Sequence, residues 1–128
     1  MKTRICSSRN AAFTLVEVMV VVTIIGLLVG IAVPKLMMAR DTSRVRVIQG
    51  NLRQIDQAKE QWAIEQRQTD GAPVADVSVL QEYLKGGGVR DVVRETYSPN
   101  PVGTAPTAAL PAGVSLGTYA AGATIPAP

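Results

Sequence analysis

Histidine is absent from the 128 residues, and the single cysteine, Cys6, sits near the amino terminus. Without histidine the chain has neither the commonest general base nor the commonest metal ligand. One thiol can form neither an internal disulfide nor a cysteine-based metal site. Aromatic residues are nearly as scarce, the whole inventory being Phe13, Trp62, Tyr83, Tyr97 and Tyr119. A concave apolar pocket of the usual catalytic kind is hard to line with so few rings. No charged side chain follows Glu95, so the C-terminal stretch offers no carboxylate to a hard cation. No set of nucleophile, base and electrophile survives the first step of a site search. The chain reads as a non-enzyme with no cofactor and no metal site.

What the sequence does have is one long apolar run. From residue 13 to 33 the only ionisable group is Glu17. At the rise of an α-helix the run reaches roughly 30 Å, the thickness of a bilayer's hydrocarbon core. A soluble core helix would carry a polar stripe every three or four residues, and Thr14, Glu17, Thr23, Gly26 and Gly30 are too few and too small to make one. A membrane-spanning helix is the expectation. Glu17 stands out because a carboxylate within such a span costs on the order of 2.5 to 3.5 kcal/mol on insertion scales. Either it lies near the interface and snorkels to water, or it has a partner. Ahead of it, Lys2, Arg4 and Arg9 precede the small pair Ala11 and Ala12. A basic segment, a small-residue junction and an apolar run are the parts of a processed leader, although here the junction comes before the apolar run and cleavage would leave the span attached.

This order of features, Phe13-Thr14-Leu15-Val16-Glu17 continuing through Gly26 to Pro34 behind a basic leader, strongly resembles the type IV pilin and type II secretion pseudopilin family over about the first 45 residues. Where the family usually has Gly before the junction, this chain has Ala12. The resemblance implies cleavage between Ala12 and Phe13 by a prepilin peptidase and N-methylation of Phe13. It also implies a leader kept in the cytoplasm of a bacterium, a single-pass anchor in the inner membrane and a periplasmic headgroup. The partners it implies are identical or related pilin subunits, an inner-membrane assembly platform and membrane lipid. A positive amine at a helix N-terminus opposes the helix dipole, so Glu17 of a neighbouring subunit is the natural counter-charge for Phe13. Such a pair would set register as much as energy. Major pseudopilins often bind calcium through acidic residues of a C-terminal loop, and some pilins close that loop with a disulfide; this sequence has the residues for neither.

The formal charge of +3 resides in the leader, since without Lys2, Arg4 and Arg9 the remaining basic residues balance the 10 acidic ones. A neutral mature chain has no excess charge with which to release counterions from phosphate, which argues against nucleic acid as a partner. Lys35, Arg40, Arg44 and Arg46 read as a juxtamembrane collar.

The expected organisation is a leader over residues 1–12, a transmembrane and filament-core helix over 13–39, an amphipathic continuation over 40–70 and a small headgroup with a Pro/Gly-rich tail over 71–128. Pro34, without flanking turn signals, predicts a kink within one helix rather than a break. Val45, Ile48, Leu52, Ile55 and Trp62 form one stripe at helical spacing. Thr69-Asp70-Gly71 followed by Pro73 predicts the stop, with Gly71 as the left-handed cap. Ser78-Val79-Leu80-Gln81 reads as a capping box opening a short second helix that ends at Gly86. Residues 89–93 and 113–119 are candidate strands, and residues 95–128 look poorly specified. The fold class is α+β: a long N-terminal helix and a small headgroup of one short helix and a few weak strands, packed on the apolar stripe. Functionally, the leading expectation is a structural filament subunit. The rival is a minor pilin or competence pseudopilin that binds DNA or secreted cargo at a filament tip, which would need an exposed basic or aromatic patch.

Overall fold

A computed structural model describes residues 13–128, so the expected leader over residues 1–12, with Ala12, lies outside the described residues. The fold is α+β. One helix, α1 (Leu15–Glu65), runs through Pro34 without a break and is followed by a 3-10 helix (Val77–Tyr83) and strands β1 (Thr96–Ser98), β2 (Thr107–Ala109) and β3 (Thr124–Pro126). The chain divides into two units between Leu36 and Met37.

In the first unit α1 starts at a cap formed by its own sequence. Thr14 Oγ1 accepts the amide of Glu17 at 3.2 Å, so Thr14 satisfies one of the orphan donors of the first turn. The hydroxyl of Thr23 donates to the Met19 carbonyl at 2.7 Å, which leaves no free hydroxyl on an otherwise apolar surface. The large apolar side chains from Leu15 to Leu36 are exposed and find no partner among the described residues.

In the second unit the apolar stripe of α1 becomes the core. Ile48, Leu52 and Ile55 are fully buried, as their spacing predicts, while Val45 and Trp62 pack at the margins. Ile48 and Leu52 meet Ala108, Leu110, Leu116 and Ile125 of the C-terminal part. Ile55 and Ala58 meet Leu80 and Leu84. The helix ends earlier than Gly71. The amide of Gln68 bonds to the Ala63 carbonyl and that of Arg67 to the Ile64 carbonyl, with Arg67 at φ 51°. This is the Schellman closure, with an arginine in the left-handed position that usually takes glycine. Gly71, at φ 85°, serves the next turn instead, where its amide pairs with the Val102 carbonyl.

The short second helix is present, but as a 3-10 helix opened by Asp76 rather than by a capping box at Ser78. Asp76 Oδ1 accepts the Val77 amide at 2.7 Å. With three residues per turn, Val77, Leu80 and Tyr83 line up on one side, and all three pack on the cluster around Ile55.

The strands lie elsewhere than the β-branched runs suggested, and residues 95–128 are ordered around them. β1, β2 and β3 form an antiparallel sheet in that order, with Tyr97 opposite Ala108 and Ala108 opposite Ile125. Residues 89–93 are not a strand, because the amides of Val92 and Val93 donate to the Glu95 carboxylate instead of to a neighbouring strand. Residues 113–119 form a tight turn closed by mutual bonds between Leu116 and Tyr119.

Candidate functional site

Two arrangements carry chemistry. The first is the start of α1. Phe13 is 79% exposed, Glu17 is exposed one turn later, and the two line a shallow surface depression with Val18 and Val21. Among the described residues Glu17 has no ion-pair partner. Its place in the first turn of α1 is favourable for an anion. The bond from the Glu17 amide to Thr14 Oγ1 is the main-chain half of a capping box, and Thr-x-x-Glu before an apolar run is the sequence signature of that box. The helix holds an 18-residue window of mean hydropathy 2.7, none of it buried among the described residues. By length and composition it is able to cross a membrane. Pro34 lies inside the helix, while Phe13 precedes it and shares only the surface depression with Glu17.

The second arrangement is polar and internal to the head. Lys59 is only 1% exposed. Its Nζ donates to the Pro99 carbonyl at 3.0 Å and to the Thr104 carbonyl, and pairs with Asp56 Oδ1 at 3.1 Å. A buried ammonium survives only when it is paired and hydrogen-bonded, and here two loop carbonyls and one carboxylate supply that. Nearby, Glu95 is 6% exposed and accepts the amides of Val92 and Val93 and, at 2.6 Å, the Tyr97 hydroxyl. Asn51 Nδ2 donates to that same hydroxyl at 2.8 Å and to the Arg90 carbonyl. Burial pushes the Glu95 carboxyl up, but the Tyr97 hydroxyl and the main-chain amides outweigh it and hold the group below its ordinary value. Burial raises the Tyr97 phenol; the Asn51 bond opposes this and the Glu95 carboxylate reinforces it. These groups tie loops to α1. Their sequence signal was weak, since a lysine on a helix and a Glu two residues before a Tyr look like ordinary surface. Among the described residues no cluster of three or more Asp, Glu, His or Cys is placed to hold a metal.

Comparison with known proteins bears on the first arrangement. Residues 7–33 match the family described as the prokaryotic N-terminal methylation motif, and the resemblance of the start of this chain to pilins and pseudopilins holds. The type II secretion system core protein G of Pseudomonas aeruginosa, a pseudopilin, is 35% identical over 57 residues, which cover 44% of this chain and 40% of that protein. The match therefore spans less than half the length of that relative. No solved structure matches the chain.

Proposed function

We propose that the chain is a structural subunit of a type IV pilus-like or type II secretion pseudopilus filament. The observation that carries this reading is the exposed apolar surface of α1 from Leu15 to Leu36, headed by Phe13 and Glu17 and overlapping the methylation motif at residues 7–33. An apolar helix with nothing among the described residues against it needs lipid or sister helices, and a filament subunit uses both in turn. In this reading residues 1–12 are a leader removed by prepilin peptidase at the Ala12–Phe13 junction, and the new amine of Phe13 is methylated. Residues 13–39 anchor the subunit in the inner membrane, with the leader cytoplasmic and the head periplasmic. Residues 40–65 continue the helix, and residues 66–128 complete the head. An assembly platform then draws subunits out of the membrane into a homopolymer or a mixed polymer of related pilins, with N-terminal helices bundled at its centre.

The chemistry of assembly falls to two groups. In a low-dielectric bundle the Phe13 amine and the Glu17 carboxylate of adjacent subunits offset each other's desolvation and fix the axial register. Intact mass of the protein extracted from membranes tests the processing step. The expected species begins at Phe13 with one methyl group; recovery of assembled polymer that retains residues 1–12 overturns the reading. Ala12→Gly should accelerate cleavage.

A further inference from the structure

The head has two unlike ends. At one, a groove is lined by Met38, Asp41, Thr42, Val45, Leu116 and Tyr119. At 3.6 residues per turn, Arg44 and Arg46 lie to either side of the helical part of that lining, and both are exposed. Between residues 37 and 53 four arginines accompany a single acid, Asp41, which already pairs with Arg44 at 3.7 Å. The part of the head that walls the other side of the groove, after Glu95, carries no charge. Near the far end of α1, Ile64 is 78% exposed. It is the most exposed large apolar side chain of the head, and Glu60 and Glu65, both exposed, stand beside it. Between residues 54 and 85 six acids accompany three bases, and among the described residues only Asp56 of those acids is in an ion pair.

We propose that the Ile64 end of one copy docks into the Met38–Tyr119 groove of a second copy, with the acids around Ile64 facing Arg44 and Arg46. The proposal rests on the filament reading and names the surface by which heads meet. An apolar knob flanked by Glu60 and Glu65, the latter also accepting the Tyr83 hydroxyl, and an apolar groove flanked by arginines complement each other in shape and in sign. Because the two patches differ, the contact is heterologous and does not close on itself, so each copy keeps a free groove and a free knob and the chain of copies stays open. Thr42 and Ile64 are 22 residues apart on one helix, so parallel copies in contact are offset by about 33 Å along it.

Cysteine cross-linking of the full-length chain in assembled polymer tests this. With Cys6→Ser as background, Thr42→Cys and Ile64→Cys together should give, under a mild added oxidant, a ladder of linked dimers, trimers and higher multiples, whereas either substitution alone should give monomer only. Adding Arg46→Glu should lower ladder yield by about tenfold, and Glu60→Arg on the same chain should restore it, because both ends are then reversed. Dimers from Ile64→Cys alone would mean a face-to-face contact and overturn the proposal, as would a missing ladder when polymer is present. Failure of the double reversal to restore yield overturns the charge pairing. Absence of polymer from the Cys6→Ser chain itself removes the filament reading along with the contact, and so is distinguishable from failure of the contact alone.

Discussion

Lys59 reaches from the buried side of α1 to the main-chain carbonyl of Pro99, 40 residues further along, at 3.0 Å. The same ammonium binds the Thr104 carbonyl, so one side chain holds both ends of the loop between β1 and β2 against the helix. Replacing Lys59 with Met keeps the length and apolar stem but leaves two carbonyls without a donor and Asp56 without its partner. The loss should be about 2 to 4 kcal/mol, the range for deleting a buried charged hydrogen-bonding group. Urea denaturation of residues 37–128 measures it. The midpoint should fall with an unchanged slope, and a midpoint within experimental error of wild type would remove Lys59 from the set of groups that hold the loop.

An ammonium among oxygen donors also bears on metal dependence. The region after Glu95 has no carboxylate, and the charge that gathers the Pro99 and Thr104 carbonyls comes from the chain itself. Melting of residues 37–128 should therefore be unmoved by chelator, by added calcium or by reductant. A specific ion stabilises the folded form by mass action, so a drop of several degrees with chelator would reveal a metal site.

These features differ in how far the sequence announces them. Helix α1 was legible because its first half is unbroken apolar chain and its second half repeats Ile48, Leu52 and Ile55 at helical spacing. Lys59 was not, because a lysine beside Ala58 looks like a solvated position until Pro99 and Thr104 are folded over it. The sheet was hidden for another reason. Its strands have three residues each, and the central one, Thr107-Ala108-Ala109, has little of the β-branched or aromatic signal that marks a strand. Ala108 is nevertheless fully buried, and its small side chain lets the sheet lie against Ile48 and Leu52. The β-branched pair Val92 and Val93 gave the stronger signal, but the Glu95 carboxylate takes their amides. At the N-terminus the position of Glu17 is plain from sequence, and the Thr14-x-x-Glu17 spacing also carries the signal of the cap.

Glu95 should give the head a recognisable acid limb. Its folded value lies below the ordinary 4.5, so as pH falls past that value the unfolded chain takes up the proton first. Stability from this group is thus full above about pH 5 and is lost as pH falls through the lowered folded value. Glu95→Gln should flatten that limb and cost about 1 to 3 kcal/mol at neutral pH through the amides of Val92 and Val93 and the Tyr97 hydroxyl. Tyr97 acts at the opposite extreme. Its raised value means the folded state keeps the phenol proton longer, so stability should fall as pH rises beyond the ordinary 10.0. Denaturant midpoints across pH for wild type, Glu95→Gln and Tyr97→Phe check both limbs. An acid limb as steep in Glu95→Gln as in wild type would assign the effect to other carboxylates.

Glu17 admits two accounts that the right substitutions separate. In the first, its side chain returns to the Thr14 main-chain amide, closing the box whose other half is the Glu17 amide on Thr14 Oγ1, and so acts within its own subunit. In the second, it neutralises the Phe13 amine of a neighbour and sets register in a filament. Glutamine satisfies a capping box nearly as well as glutamate but brings no charge. If capping is the whole role, Glu17→Gln should assemble normally and only Glu17→Leu should suffer. If the charge matters, both should lose polymer alike, by about tenfold or more for an interaction of 1.4 kcal/mol or above in each subunit contact. Insertion should not decline in either variant, since removing a carboxylate from an apolar span favours insertion. Sheared polymer quantified by immunoblot at matched membrane levels gives the readout. Wild-type amounts from Glu17→Gln would leave the membrane anchor standing and end the role in register.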